Sequence, residues 1–335
     1  MNTKSFSDKL SWRIIGLVLV ISLVSQVVAS IVVAVHVEDW WDESPEMLVY
    51  LNVIGLASLV VLFFVSRVVI SRMTRYSQEL ETTTADKERM ESELTMARGI
   101  QRGMLSTGFP PILYALLNPA KEVGGDLYDF DLKGDQLYFA IGDVSGKGVP
   151  ASLVMAITSA TLHLVMEMDS TLNDTLRRVN DGFSKNNNSG MFVTLFVARL
   201  NLKTGHMDYC NAGHTPVIII PPDGKPYFLK SKPNIALGLC EHFSFEAEQL
   251  DLESGSRIIA YTDGVTEAER KDLSQYGDER LVSWARHLAE THPNASTPTE
   301  KSIVESLYQS VRDFTEDNPQ NDDITIMSIK LPVYD

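Results

Sequence analysis

From Ile14 to Val35 the chain carries no charged side chain, and from Leu48 to Ser66 it again carries none. A helix rises about 1.5 Å per residue, so either run crosses a hydrocarbon core about 30 Å thick. Lipid offers the backbone no hydrogen-bond partner, which confines such runs to helix. A cleaved leader would account for the first run alone, and no small-residue cleavage site marks its end. The reading is a helical hairpin with spans 14–35 and 48–66, making residues 1–71 a membrane anchor in contact with lipid.

Orientation follows from charge. Lys4, Lys9 and Arg13 precede the first span, and Arg67, Arg72 and Arg75 follow the second. The connecting "HVEDWWDESPEM" holds five acidic residues and no Lys or Arg. Basic flanks stay on the cytoplasmic side, so both termini are expected there. Trp40 and Trp41 suit the membrane interface, and the loop is too short to fold as a sensor domain.

Residues 72–106 lack proline and consist of helix formers, which predicts a linker helix. Tyr76, Leu80, Thr83, Lys87, Met90, Leu94, Ala97, Gln101 and Met104 recur at steps of four and three. Thr83, Lys87 and Gln101 make this a poor heptad seam. Two readings stand: one solvated helix, or a marginal dimeric coiled coil. Gly99 and Gly103 each weaken the helix by about 1 kcal/mol relative to Ala, just where a soluble domain, 107–335, begins.

The formal net charge of −15 excludes a nucleic-acid binder, which needs clustered Lys and Arg to neutralise phosphates. Cys210 and Cys240 lack CxxC spacing and read as free thiols in a reducing compartment. After "GFPP", strand-like runs such as "QLYFAIGDV", "MFVTLFVARL", "HMDYCNAG", "TPVIIIPP" and "RIIAY" alternate with turns. Helical patterns fall over 150–168, 172–185, 279–290 and 299–314. Hairpin-spaced strands with separate helices predict α+β architecture, antiparallel sheet packed with helices.

Four segments place acidic residues at strand ends or in Gly-rich turns: "VGGDLYDF" with Asp126, "IGDVSGKG" with Asp143, "YTDG" with Asp263, and "NDDITIMSI" with Asp322 and Asp323. Each alone reads equally as a turn, Asp-Gly above all. Converging carboxylates would need cations, and hard oxygen ligands select Mg²⁺ or Mn²⁺ over zinc. "GDVSGKG" lacks the spacing of a phosphate-binding P-loop. "GGDLYDF" breaks the signature of diguanylate cyclases, a reading that also leaves "TDG" and "DDIT" unexplained.

In order, "ELTMARGIQRGML", "PAKEVGGDLYDF", "FAIGDVSGKGVPASLVMA", "MFVTLF", "NAGHTP", "IIAYTDGVTEA", "YGDERL" and "DDITIMSIK" run through residues 90–335. This set resembles the bacterial SpoIIE/RsbU-type branch of the PPM (PP2C-like) serine/threonine phosphatases. The resemblance implies an αββα sandwich of two antiparallel sheets flanked by helices, with two Mn²⁺ or Mg²⁺ ions at one end. It implies that Asp143 bridges both ions and the Val144 carbonyl helps hold one. Asp263 and Asp322 would hold the other, and Asp126 would reach the centre through water. Gly264 would permit a close turn around Asp263, and Asp323 would not be a ligand.

A metal-activated water would then attack phosphorus in line, with no phosphoenzyme and no need of Ser145. Lys121 is a candidate phosphate contact. His214 is a candidate acid or a structural loop histidine. The family's substrate is a phosphorylated STAS-domain anti-sigma factor antagonist in a partner-switching pathway, and its setting here would be the bacterial inner membrane. Leu94, Ala97, Gly99, Gln101 and Met104 would form a regulatory linker acting through a homodimer. The alternative is a catalytically silent interaction module of the same fold.

Overall fold

The computed structural model describes residues 16, 20–28, 30–31, 35, 45–166, 171–185, 187, 190–291 and 298–333. The basic residues before the first span, the ends of that span, Trp40 and Trp41 lie outside the described residues. The chain divides into two compact units, Met1–Ser92 and Glu93–Asp335.

In the first unit, residues 20–28 are helical, and a long helix α1 starts at Pro45 and runs to Met104. The apolar stretch of α1 is long enough to cross a membrane, and none of it is buried within the protein. Val53, Ile54, Leu56, Val61, Phe64 and Val68 are all exposed. A helix apolar all round yet unpacked is what a lipid-facing segment requires. The side-chain amide of Gln26 donates to the Asn52 carbonyl at 3.4 Å, so the helical segment 20–28 lies beside the start of α1.

The second unit is built of two five-stranded sheets, antiparallel throughout. Its strands are β1 (Leu113–Asn118), β2 (Leu127–Lys133), β3 (Gln136–Val144), β4 (Val193–Asn201), β5 (His206–Ala212), β6 (Ile218–Ile220), β7 (Tyr227–Phe228), β8 (Glu248–Asp251), β9 (Arg257–Tyr261) and β10 (Ile324–Lys330). One sheet has the order β1-β10-β9-β6-β7 and the other β2-β3-β4-β5-β8. The helices are α2 (Val149–Met166), α3 (Leu172–Ser184), a single turn α4 (Asp263–Thr266), α5 (Gly277–Thr291) and α6 (Glu300–Thr315).

Successive side chains along a strand face opposite ways, and the core follows that period of two. Leu137, Phe139 and Ile141 of β3 meet Ile258, Ala260, Met327 and Ile329 of the other sheet in the central layer. Ala140, Leu195 and Val197 face outward onto Met155 and Leu162 of α2 and Leu176 of α3. Ile259, Tyr261, Ile324 and Ile326 face outward onto Leu281 of α5 and Ile303, Leu307 and Val311 of α6. The four layers are the expected αββα sandwich. Covered on both faces, β9 is buried at every position and β10 at every position but the last, Lys330. Helix α2 is also long and apolar enough to cross a membrane, but 44% of it is buried and it packs as a core helix.

Element bounds depart from the sequence reading where proline or pairing decides. The run 215–222 yields only Ile218–Ile220, because Pro216 and Pro221 bracket it and cannot donate to a ladder. Strands β1, β7 and β8 carry no strong period of their own. The second compact unit takes in the end of α1 from Glu93 onward. Gln101 explains this: it is 7% exposed, donates to the Gly124 carbonyl at 2.6 Å and accepts from the Gly124 N–H at 3.2 Å. Gln101 therefore faces its own domain, not a free heptad seam. Arg98 beside it donates to the carbonyls of Lys121 and Glu122. Gly99 and Met104 are exposed, and Leu94 and Ala97 are half-buried.

Candidate metal centre

Antiparallel pairing brings the acidic motifs to one end of the sandwich. Leu127 at the start of β2 pairs with Gly142 near the end of β3, so Asp126 and Asp143 become neighbours. Tyr261 at the end of β9 pairs with Ile326 of β10, which brings Asp263 beside Asp322 and Asp323. Each sheet contributes one such pair.

Two threonines join the pairs across the sheets. Asp126 is 1% exposed and accepts from Thr262 Oγ1 at 2.8 Å and from Thr325 Oγ1 at 2.5 Å. Burial raises the Asp126 carboxyl well above the ordinary range, and the charges of Asp143 and Asp323 add to this. Asp143 is pushed up to about 7, first by burial and then by Asp263, while a hydrogen bond with Asp126 works the other way. A hydrogen bond thus ties Asp126 to Asp143. Asp263 is raised by burial and then by Asp322.

The two adjacent aspartates before β10 have separate tasks. Asp323 accepts from the N–H of Ala120 at 2.8 Å and of Gly125 at 2.7 Å, pinning the loop that leads to Asp126. Asp322 keeps 29% of its side chain exposed and faces the cluster, in contact with Lys147 Nζ at 2.8 Å. Gly264 lies inside the single turn α4 that begins at Asp263, against the backbone of Asp323. A Cβ there would lie 1.9 Å from the carbonyl oxygen of Asp323, so close backbone approach requires glycine.

His214, in the loop after β5, is 7% exposed, and burial lowers it to about 4. Its Nδ1 lies 3.0 Å from Thr194 Oγ1, which donates to the Asp143 carbonyl at 3.3 Å. Asn211 brackets it with hydrogen bonds to its N–H and carbonyl. Burial keeps the imidazole neutral, and Asn211 and Thr194 hold it in the loop. Ser145 is likewise engaged, its Oγ accepting from the Phe192 N–H at 2.9 Å. The Lys121 stem lies beside Gly148, at the rim of the cluster.

The acidic side chains gathered here are carboxylates, hard oxygen donors of the kind that suit a divalent cation such as Mg²⁺ or Mn²⁺. The mutual elevation of Asp126, Asp143 and Asp263 shows carboxylates close enough to repel. Among the described residues, however, no three acidic side chains close around one point as a finished cage would. Lys147, Thr262 and Thr325 were missed from sequence. A lysine beside glycines and threonines at strand ends carry no signal until the strands are paired.

A sequence profile for stage II sporulation protein E (SpoIIE) matches residues 133–332. The phosphoserine phosphatase RsbU of Bacillus subtilis is 27% identical over 267 residues, covering 76% of this chain and 75% of RsbU. Protein IcfG of Synechocystis sp. is 31% identical over 270 residues, 71% of this chain but 41% of IcfG. The fold matches the SiaA-PP2C domain of Pseudomonas aeruginosa with a TM-score of 0.64 at 19% identity, over 75% of this chain and 99% of that domain.

Proposed function

The chain belongs to the SpoIIE family of PP2C-like phosphatases, and from that premise we propose that it is a metal-dependent phosphatase acting on phosphoserine or phosphothreonine in proteins. The observation that carries the proposal is the meeting of Asp126, Asp143, Asp263 and Asp322 from both sheets at one end of the sandwich, with Asp143 raised to about 7. Carboxylates gathered at such cost to their ionisation are poised for cations.

Asp143 would bridge two ions, with the Val144 carbonyl on one and Asp263 and Asp322 on the other. Bound there, the ions supply a water of lowered pKa and neutralise phosphoryl charge. Asp126, held by Thr262 and Thr325, fixes the Asp143 carboxylate. His214 steadies Asp143 from behind through Thr194. Lys121 at the rim brings positive charge to the phosphate. Ser145, whose Oγ accepts from the Phe192 N–H, need not act as a nucleophile.

Likeness to RsbU supports a phosphorylated STAS-domain protein as substrate. The exposed apolar length of α1 supports attachment to a membrane, with a two-span hairpin and the catalytic unit in the cytoplasm as the finer proposal. A homodimer through the linker helix 72–106 is a further part of the proposal, with Gln101 turned from its seam toward Gly124.

The test is phosphate release from a phosphoserine STAS protein by the full chain in detergent, with Mn²⁺, with Mg²⁺ and with chelator. Release by Asp143→Asn at the wild-type rate, or release indifferent to chelator, would refute the proposal.

A further inference from the structure

Lys147 sits in the loop between β3 and α2, flanked by Gly146 at φ 88° and Gly148 at φ 76°. Its ammonium lies 2.8 Å from Asp322 Oδ2 and 2.6 Å from the Asn321 carbonyl. The other oxygen of Asp322 already accepts the Asp323 N–H at 2.9 Å. Both oxygens of this carboxylate are therefore engaged by the protein itself.

We propose that Lys147 is an internal counter-cation, which holds Asp322 until a divalent cation displaces it from that carboxylate. This rests on the metal-dependent reading above. A lysine ammonium and a divalent ion on the same carboxylate oxygen would stand within about 4 Å of each other, where like charges repel strongly. One must leave, and the lysine can. Its side chain is 42% exposed, so solvent receives the ammonium without a buried-charge penalty. The flanking glycines occupy backbone conformations that other residues rarely adopt, and they shape the turn that carries Lys147.

The arrangement has two consequences. Without metal, Lys147 offsets part of the repulsion that Asp322 exerts on Asp263 and so adds modestly to the stability of the metal-free fold. With metal, that relief becomes a competing interaction, and affinity is lower than the carboxylates alone would give. A residue that merely positioned Asp322 for metal would have the opposite effect on affinity.

Mn²⁺ binding to the full chain in detergent, measured by calorimetry, and thermal unfolding without metal distinguish these roles. Lys147→Gln should tighten the Mn²⁺ dissociation constant roughly three- to fivefold, the scale of a half-exposed ion pair. It should also lower the unfolding temperature of the metal-free chain. Lys147→Arg keeps the charge and should bind Mn²⁺ within about twofold of wild type. Lys225→Gln, at an exposed lysine paired only with Asp223, controls for the lost net charge.

Tightening in Lys147→Gln beyond that control, with Lys147→Arg unmoved, supports the proposal. Equal affinity in Lys147→Gln and Lys225→Gln would overturn it, and so would weaker binding in Lys147→Gln. Should wild type itself take up no Mn²⁺, the metal-centre reading falls, and this inference with it.

Discussion

Replacing Gly264 with alanine adds one methyl group where the backbone of Asp323 already stands. The new Cβ would lie 1.9 Å from the Asp323 carbonyl oxygen and 2.9 Å from its carbon, against 3.4 Å or more for ordinary contact. The separation must therefore grow by about 1.5 Å. Neither partner is a flexible side chain. The Asp323 carboxylate holds the N–H groups of Ala120 and Gly125, and Thr262 and Thr325 lie between that segment and Asp126. Moving Asp323 strains or breaks several of these bonds at once. Overpacking costs about 1–3 kcal/mol, and each buried donor left unpaired adds about 1–3 kcal/mol. A loss of about 4 kcal/mol is expected, a fall of roughly 8–16 °C in unfolding temperature for a domain of this size.

Thermal and denaturant unfolding of the full chain, followed by near-UV and far-UV circular dichroism, measures the change. Gly99→Ala is the counterpart, since nothing lies within 4 Å of its added methyl in an exposed helical position. It should stabilise by about 1 kcal/mol. A Gly264→Ala protein within about 0.5 kcal/mol of wild type, the ordinary range for a neutral surface change, would refute the steric argument.

Asp322→Asn and Asp323→Ala should separate catalysis from folding. The first should cut turnover at least about a hundredfold with stability changed by under about 1 kcal/mol; the second should cost about 2–4 kcal/mol by orphaning two amides, read by urea unfolding. Asp143 sits at about 7 in the metal-free fold against 3.8 for the free group, so the fold favours its protonated form. Metal-free stability should therefore fall as pH rises from about 4 to about 7, and Mn²⁺ affinity should weaken as pH drops below 7, with proton release on binding in calorimetry. Cys240 is exposed, whereas burial pushes the Cys210 thiol up to about 12, so a maleimide at pH 7.5 should label one site in the folded chain and two after denaturation.

Local chemistry wrote much of this protein into its sequence. The apolar length of α1 was legible because a long uncharged run, which lipid would confine to helix, is a local pattern. The bounds of β3 and β9 were legible because a short β-branched and apolar run and a closing turn are short-range facts, and Asp143 and Asp263 stand out beside the ends of those strands. Pairing decided the rest. That β10 lies between β1 and β9, almost the length of the domain away from β1, follows from no local pattern. Only this register sets Thr262 and Thr325 against Asp126, assigns Asp322 to the cluster and Asp323 to the loop, and makes Gly264 a steric necessity. Gln101 looked like a weak seam residue because heptad spacing records a helix's own period, while its partner at Gly124 is supplied by a loop that spacing does not contain. Lys147 looked like part of a glycine-rich turn for the same reason: an ammonium finds its counter-charge through space, and the sequence records only neighbours along the chain.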